Sequence, residues 1–186
     1  RVWDRDINRF LTSDYVPLYN PVEEYLYDTG RWDGKDRIRA LADLVPCHNP
    51  HWQELFYRWF LGMVAHWRGM DRQHGNNTSP LLVGSQGFRK STFCRILLPP
   101  ELRFGYTDSI DFKSRQEAER SLGRFLLVNI DEFDQININQ QGFLKHLLQK
   151  PAANLRKPYG STIREMRRYA SFIGTSNQKD LLSDPS

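Results

Sequence analysis

The chain has 186 residues, of which 39% are hydrophobic and 26% are charged, a balance typical of a soluble globular domain rather than of a disordered protein. No run approaches the roughly 18 consecutive apolar residues that a membrane span needs, and no signal peptide is recognisable, so we expect a cytoplasmic protein. The formal charge of +4, from 26 basic and 22 acidic side chains, permits nucleic-acid binding without requiring it.

The cysteines indicate neither a disulfide scaffold nor a zinc ribbon. Cys47 and Cys94 form no Cys-x-x-Cys pair, and a reducing compartment is the default for such a chain. A metal site at Cys47, His48 and His51 would lack the further ligands that a tetrahedral ion needs. Because the chain begins at Arg1 rather than methionine and ends abruptly at SDPS, we expect it to be part of a longer protein.

Residues 1–72 are predicted to form a small all-helical region. Asn20 supplies a cap, Pro21 occupies the first turn and Glu23 stands at the third position, which together predict a helix start. A later helix is expected to begin at Asn49. Its wide apolar stripe, which we interpret as core packing rather than as a platform for stacked bases, consists of Trp52, Leu55, Phe56, Trp59, Phe60, Met63 and Val64.

Residues 77–186 are predicted to form an α/β core. After the polar linker MDRQHGNNTSP, strands are expected at 81–83, 125–130 and 170–175, and helices at 91–98, 114–122 and 140–149. The run 125–130 is almost continuously apolar, as expected when both faces of a parallel sheet are covered. The alternation of strands and helices therefore predicts a parallel sheet between helical layers.

The stretch GSQGFRKS matches the phosphate-binding pattern G-x-x-x-x-G-K-[ST] at every defined position except one. It follows a predicted strand and precedes a predicted helix, a context in which backbone N–H groups cradle phosphate oxygens. Lys90 is expected to reach the β- and γ-phosphates of ATP, and the Ser91 hydroxyl to bind Mg²⁺. The predicted nucleotide-binding residues are Gly84, Ser85, Gln86, Gly87, Phe88, Arg89, Lys90, Ser91 and Thr92.

Arg89 is the departure from this pattern, because it stands where the second glycine belongs. Glycine lets the backbone turn tightly and keeps side chains away from the phosphates. Arginine must either adopt a conformation that suits its Cβ or point its guanidinium away, although it could also add positive charge near the phosphates. Since Gly84 and Gly87 keep most of the loop's freedom, we expect a functional loop.

Polar residues follow two of the predicted strands. Asp131 comes directly after FLLVNI and is expected to bind Mg²⁺, while Glu132 is expected to activate the attacking water. A solvated acidic turn is the alternative for such a pair. Asn177 follows ASFIGTS and is expected to sense the γ-phosphate. The sequence thus predicts an ATP and Mg²⁺ site with Lys90, Glu132 and Asn177 as its catalytic residues.

Residues 155–170, LRKPYGSTIREMRRYA, alternate around a Gly-Ser pair and predict a hairpin. Its basic side chains, interleaved with tyrosines, are suited to phosphate contacts and base stacking along a nucleic-acid strand, for which we expect single-stranded DNA. A solvated basic surface is the alternative. The predicted nucleic-acid-binding residues are Arg156, Lys157, Arg164, Arg167 and Arg168.

Together these motifs resemble the virulence-associated E family of P-loop ATPases, which is found on phages, plasmids and genomic islands. The resemblance covers most of the chain and rests on Asn20-Pro21 through Trp32-Asp33-Gly34 with Arg37, on GSQGFRKST, on NIDEFD, on RKPYG and on GTSNQKDLLSDPS. It implies a P-loop NTPase αβα core related to superfamily-3 helicases, which form rings around DNA and often sit beside a primase.

Carried over to this chain, the resemblance assigns the phosphate-loop pair to Lys90 and Ser91, the acidic pair to Asp131 and Glu132, and the sensor to Asn177. The basic hairpin matches the element that such helicases point into the ring channel. The implied function is that of an ATP-dependent DNA motor or helicase-like ATPase, assembled as a homo-oligomeric ring, in the replication of a mobile genetic element.

Two other functions remain open. The first is a non-catalytic nucleotide-binding or docking module with a degenerate loop, which binds nucleic acid or a primase. A small-molecule kinase is less favoured, because no lid or substrate segment is recognisable.

Ring ATPases of the resembled superfamily also place an arginine shortly after the sensor, and Gln178 to Ser186 contain none. We therefore expect this chain to bind nucleotide but to hydrolyse it slowly and to assemble weakly.

Overall fold

The computed structural model describes residues 3–17, 19–71, 73–156 and 163–178, with the side chains of 154–156 and 163–164 left out of the description. The chain divides into two compact units, residues 1–30 and 31–186. The domain boundary expected from the sequence, between residues 72 and 77, stays a prediction. None of the helices in the described ranges is long and apolar enough to cross a membrane.

The first unit contains two short helices, α1 (Asp4–Leu11) and α2 (Pro21–Asp28). The start of α2 is the one expected from the sequence. Asn20 is its N-cap, and the side-chain oxygen of Asn20 accepts hydrogen bonds from the N–H groups of Val22 and Glu23 at 3.1 and 3.4 Å. These contacts satisfy backbone donors that a helix N-terminus otherwise leaves unpaired.

The second unit begins with α3 (Arg37–Ala42) and α4 (Trp52–Arg68). Three residues of the apolar stripe expected on α4 are buried, Phe56, Trp59 and Met63, and three others are half-buried. Leu55 is an exception and is exposed. The helix ends at Gly69, whose φ of 63° is the left-handed conformation that closes many helices.

The core of the second unit is a four-stranded parallel sheet. Its strands are β1 (Leu81–Val83), β2 (Tyr106–Thr107), β3 (Leu127–Ile130) and β6 (Ser171–Ser176), in the order β1-β6-β3-β2. The three strands expected from the sequence form near their predicted ranges. In register, Leu81 lies opposite Gly174, and Leu127 opposite Ser171. Both β3 and β6 are buried along their whole length, as their apolar runs predict.

Helices cover both faces of this sheet. The connection from β1 to β2 runs across the sheet in one direction, and the connections from β2 to β3 and from β3 to β6 run in the other. Because such crossovers are right-handed, α5 (Lys90–Ile96) lies on one face of the sheet, and α6 (Arg115–Arg124) and α7 (Ile138–Gln149) lie on the other. Packing agrees with this arrangement. Leu122 of α6 and Leu144 of α7 join a buried cluster with Val128 and Phe172 of the sheet. Short 3₁₀ turns span Pro100–Gly105 and Phe133–Gln135.

A separate antiparallel pair, β4 (Ala152–Arg156) and β5 (Ile163–Arg167), forms the hairpin expected from the sequence. Arg156 lies opposite Ile163 and Ala152 lies opposite Arg167. The hairpin tip, with Lys157, lies outside the described residues. Only residues 168–170 separate β5 from β6, so the hairpin leads almost directly into a central strand of the parallel sheet.

Candidate functional site

A cleft of about 320 Å³ opens at the carboxyl ends of β1, β3 and β6. Because these strands are parallel neighbours, the segments that follow them meet at one edge of the sheet. The cleft brings together the three segments that the sequence predicted to form one site. Its lining residues are Gln86, Gly87, Phe88, Arg89, Lys90, Ser91, Thr92, Asp131, Glu132, Thr175, Ser176 and Asn177.

Lys90 links the loop after β1 to the residue after β6. Its ammonium donates hydrogen bonds to the carbonyl oxygens of Gly84 and Ser85, at 2.6 and 3.0 Å, and to Oδ1 of Asn177 at 3.0 Å. The N–H of Gly84 also donates to the carbonyl of Ser176 at 3.1 Å, which fixes the loop against β6. Lysine and candidate sensor are therefore held within hydrogen-bond distance of each other.

Asp131 is the acceptor of two hydroxyl groups. Ser91 Oγ donates to its Oδ1 at 3.1 Å, and the buried hydroxyl of Thr175 donates to the same oxygen. A serine hydroxyl beside a carboxylate is a pair of hard oxygen ligands, the type that Mg²⁺ prefers. These two residues, which the sequence predicted as metal ligands, fit that ion in donor chemistry and in proximity.

Asp134 organises the turn after β6, and sequence reasoning did not single it out. Its Oδ1 accepts hydrogen bonds from the Ser176 hydroxyl at 2.8 Å and from the N–H of Asn177 at 3.4 Å. The Ser176 hydrogen bond, with smaller effects of backbone donors and of the Lys90 charge, lowers the pKa of Asp134 below its ordinary value. The signal available in the sequence was its place as the last acidic residue of NIDEFD.

Arg89 and Glu132 have an unusual backbone conformation. Their φ angles are 55° and 51°, and among the described residues they are the two non-glycine positions with positive φ. The left-handed conformation costs an L-residue roughly 1–2 kcal/mol. Arg89 thus keeps the glycine-type turn of the phosphate-loop pattern instead of adopting a backbone that suits its Cβ. Both strained residues line the cleft, and such strain is concentrated at functional sites.

Comparison with known families and structures follows from this geometry. The model of the virulence-associated protein E-like domain matches residues 26–186. The chain belongs to this family. A search of curated proteins gives no match.

Two solved structures are similar to this virulence-associated protein E-like domain over 77% of its chain, at 16% sequence identity. They are the apo structure of the NrS-1 C-terminal region (305–718), with a TM-score of 0.49, and the A-form apo structure of that region, with a TM-score of 0.47. The chain spans about a third of the length of either one, 34% and 33% respectively.

In this virulence-associated protein E-like domain, the structure describes the side chains of two of the five basic residues predicted to bind nucleic acid, Arg167 and Arg168. Arg156 and Arg164 lie on β4 and β5, but their side chains, like Lys157 as a whole, lie outside the described part. For these three residues, nucleic-acid binding stays a prediction.

Arg168 corrects the sequence prediction, because it is 1% exposed and cannot reach a nucleic-acid strand. Its Nε donates to the carbonyl of Ala170 at 2.7 Å, and its Nη1 donates to carbonyls of Leu147, Leu148 and Lys150 at the end of α7, at 3.2, 2.8 and 2.7 Å. Burial lowers the pKa of Arg168 to about 10. Its guanidinium is thus hydrogen-bonded to carbonyls at the C-terminal end of a helix, where backbone acceptors lack the regular helical partners.

Arg167 requires a similar correction. It is half-buried, and its Nη2 donates to the carbonyls of His66, at 3.2 Å, and of Trp67, in the last turn of α4. Its guanidinium also lies 4.7 Å from the centre of the Tyr169 ring. The side chain is therefore engaged at a helix C-terminus, where a positive charge is favourable, rather than presented to a phosphate backbone.

Proposed function

We propose that this virulence-associated protein E-like domain binds Mg²⁺–ATP in the cleft and hydrolyses it as the P-loop ATPase of a helicase-like DNA motor in the replication of a mobile element. The observation that carries the proposal is the 3.1 Å contact between Ser91 Oγ and Asp131 Oδ1. It lies in a cleft that also contains Lys90 and Asn177. A hydroxyl, a carboxylate, an ammonium and an amide at the end of a parallel sheet form the set that phosphoryl transfer requires.

Each side chain has a defined task in this proposal. The backbone N–H groups of residues 84–89 bind phosphate oxygens, and Lys90 exchanges its two carbonyl acceptors for oxygens of the β- and γ-phosphates. Ser91 and Asp131 hold Mg²⁺, which supplies neutralisation of the phosphate charge when it is bound. Glu132, which is exposed, accepts a proton from the water that attacks the γ-phosphorus, the bond to the bridging oxygen breaks and ADP leaves.

The hairpin supplies the proposed link to DNA. Arg156, Lys157 and Arg164 are proposed to bind the phosphates of single-stranded DNA. Only three residues separate β5 from β6, and β6 ends beside Asn177, which is hydrogen-bonded to Lys90. In this proposal, a displacement of the DNA-bound hairpin is therefore transmitted along β6 to the residue proposed to contact the γ-phosphate. A homo-oligomeric ring and a neighbouring primase are part of the same proposal.

The alternative is a non-catalytic nucleotide-binding or docking module. The observation that favours it is the backbone of Arg89, since a strained arginine replaces the usual glycine at φ 55°. Turnover measured in the full-length protein separates the two functions. A docking module binds Mg²⁺–ATP without hydrolysing it, whether or not single-stranded DNA is present, whereas the motor's hydrolysis is stimulated by DNA.

Calorimetric titration of Mg²⁺–ATP into wild-type protein and Lys90→Ala tests the site. We expect the substitution to abolish measurable binding, because it removes the ammonium from the phosphate cradle. Lys113→Ala is the matched control, since Lys113 is exposed and lies outside the cleft, and it should bind as wild type does. Equal affinity of wild type and Lys90→Ala would refute the assignment of the cleft.

A further inference from the structure

The roles given above leave the side chain of Arg89 without a task. It lines the cleft next to Lys90 and is exposed. Among the described residues, its guanidinium has no hydrogen-bond or ion-pair partner. By contrast, the neighbouring Lys90 ammonium contacts three acceptors. A permanently charged group therefore stands at the mouth of the cleft with its donors available.

The backbone of Arg89 is strained, because a residue with a side chain occupies a conformation that favours glycine. Gly87, two residues earlier in the same loop, has a φ of 90° and is a glycine, the residue that adopts positive φ without strain. Arg89 has a φ of 55° and a ψ of 29°, also in the left-handed region, yet it carries a full side chain. Backbone strain of this kind is concentrated at active sites and ligand-binding sites.

The charges that line the cleft indicate that the Arg89 side chain binds phosphate. Asp131 and Glu132 place two carboxylates there, and Arg89 and Lys90 place two cations. Without Arg89, the carboxylates would outnumber the cations in a site proposed to take a polyphosphate. Guanidinium is also better matched than ammonium to paired phosphate oxygens, because its planar donors can bind two of them at once.

We propose that Arg89 binds the phosphate chain of the nucleotide from within the same subunit, as a second phosphate-binding side chain beside Lys90. This inference rests on the proposed function, since it requires a nucleotide in the cleft. The ligand class is a nucleoside triphosphate. A phosphate of nucleic acid would satisfy the same guanidinium, but Arg89 lines the same cleft as Ser91 and Asp131, whose oxygens are a pair suited to the Mg²⁺ that accompanies a triphosphate.

Three substitutions separate charge from backbone strain. Arg89→Gly removes both, Arg89→Ala removes the charge and keeps a Cβ in the left-handed conformation, and Arg89→Lys keeps a charge. Mg²⁺–ATP affinity is measured by calorimetry at two or more salt concentrations, and the melting temperature of the nucleotide-free protein is measured beside it. We expect Kd to rise about ten- to hundredfold for Gly and Ala alike, the value of a charge-assisted hydrogen bond, and less for Lys.

Stability should rank these variants differently from affinity. Nucleotide-free Arg89→Gly should melt at a higher temperature than Arg89→Ala, by roughly 2–4 °C, because only glycine adopts this backbone without strain. A loss of ATP affinity in Arg89→Ala that Arg89→Gly does not share would assign the effect to the backbone and overturn the role of the charge.

Two other results would also overturn the inference, and they differ from failure of the proposed function. If all three variants bind Mg²⁺–ATP as wild type does while Lys90→Ala does not, the cleft is a nucleotide site in which Arg89 has no part. If the variants lose affinity for single-stranded DNA and keep it for ATP, the guanidinium serves nucleic acid. If wild type itself binds no Mg²⁺–ATP, the proposed function is wrong, and the inference about Arg89, which rests on it, is wrong as well.

Discussion

Asp131 and Glu132 are adjacent in sequence, yet their carboxylates have different surroundings. Asp131 accepts hydrogen bonds from Ser91 and Thr175. Glu132 has a φ of 51° and is exposed, and within the described ranges its carboxylate has no hydrogen-bond partner. The Asp131 carboxylate is thus held by two hydroxyl groups, which agrees with its proposed role as a metal ligand, whereas the Glu132 carboxylate, the proposed base, is not held in this way by the described residues.

Glu132→Gln tests this division of roles. The substitution keeps the shape of the side chain and removes the base, so we expect ATP affinity to stay within about twofold of wild type while kcat falls by a factor of 10² or more. Turnover should be measured in the full-length protein. Asp131→Asn is the matched comparison, and it should weaken the Mg²⁺ dependence of binding instead. Unchanged turnover in Glu132→Gln would mean that another group activates the water.

His66, in the last turn of α4, is a histidine that the fold keeps neutral. It is 2% exposed, and burial lowers its pKa to about 4, helped by the charges of Arg168 and Arg167 and opposed by Asp71. In the unfolded chain, histidine titrates near pH 6.5. Between pH 6.5 and 4 the unfolded state therefore binds a proton that the folded state does not, and stability falls as the pH is lowered through this range.

We expect this one group to reduce the free energy of unfolding by about 3 kcal/mol between pH 7 and pH 4. Urea unfolding of wild type and His66→Gln across that range measures it as the difference between their pH profiles, which cancels the carboxylates common to both. His48→Gln, at an exposed histidine, is the control and should follow wild type. Parallel profiles for wild type and His66→Gln would contradict the assignment.

At the scale of elements, the base of the hairpin is fixed to the ends of two helices. Arg167 donates to carbonyls in the last turn of α4, and Arg168 to carbonyls at the end of α7. Two of these carbonyls, those of His66 and Leu147, also accept a hydrogen bond from the cap residue that ends their helix. The two adjacent arginines therefore anchor the short connection between β5 and β6, so that the hairpin and the strand leading to Asn177 share one rigid attachment.

This anchoring predicts opposite effects for two kinds of arginine. Arg168→Met leaves several buried carbonyls unpaired and should lower the free energy of unfolding by about 3 kcal/mol, with little change in the salt dependence of single-stranded DNA binding. Replacing Arg156 and Arg164 together, the proposed phosphate contacts, should instead flatten the salt dependence of single-stranded DNA binding by roughly two units of slope.

Chemical unfolding and DNA titration at several salt concentrations, applied to both variants, provide the measurement. If the salt dependence of DNA binding is weaker in Arg168→Met than in wild type, Arg168 contacts DNA after all. An unchanged slope in the Arg156 and Arg164 variant would mean that the hairpin strands are a solvated basic surface.

Across the whole molecule, the sequence predicted what depends on local pattern. The buried strands β3 and β6 follow from their apolar runs, and the convergence of Lys90, Asp131 and Asn177 follows from the parallel order of the strands that precede them. Strand β2, with only two residues, gives no such pattern.

The contacts that the sequence did not predict are made between distant segments. The hydroxyl of Thr175 binds a carboxylate 44 residues earlier, and Arg168 binds carbonyls about 20 residues away. Two adjacent arginines at the end of a predicted strand are typical of an exposed surface, and no local sequence pattern shows that the ends of two helices pack against them. The hydrogen-bond partners of polar groups inside the fold therefore could not be predicted from the sequence alone.

The division into two compact units predicts where the proposed activity lies. Residues 31–186 contain the whole parallel sheet, the hairpin and all twelve residues that line the cleft. We therefore expect protein that begins at Arg31 to fold and to bind Mg²⁺–ATP with a Kd within about twofold of the longer form. Saturating nucleotide, at about 100 times Kd, should stabilise either form by about 2.7 kcal/mol. Circular dichroism melts and calorimetry on the two forms, each with its Lys90→Ala variant as the non-binding control, make the comparison. A short form that folds but binds nucleotide tenfold more weakly would place part of the nucleotide site in residues 1–30.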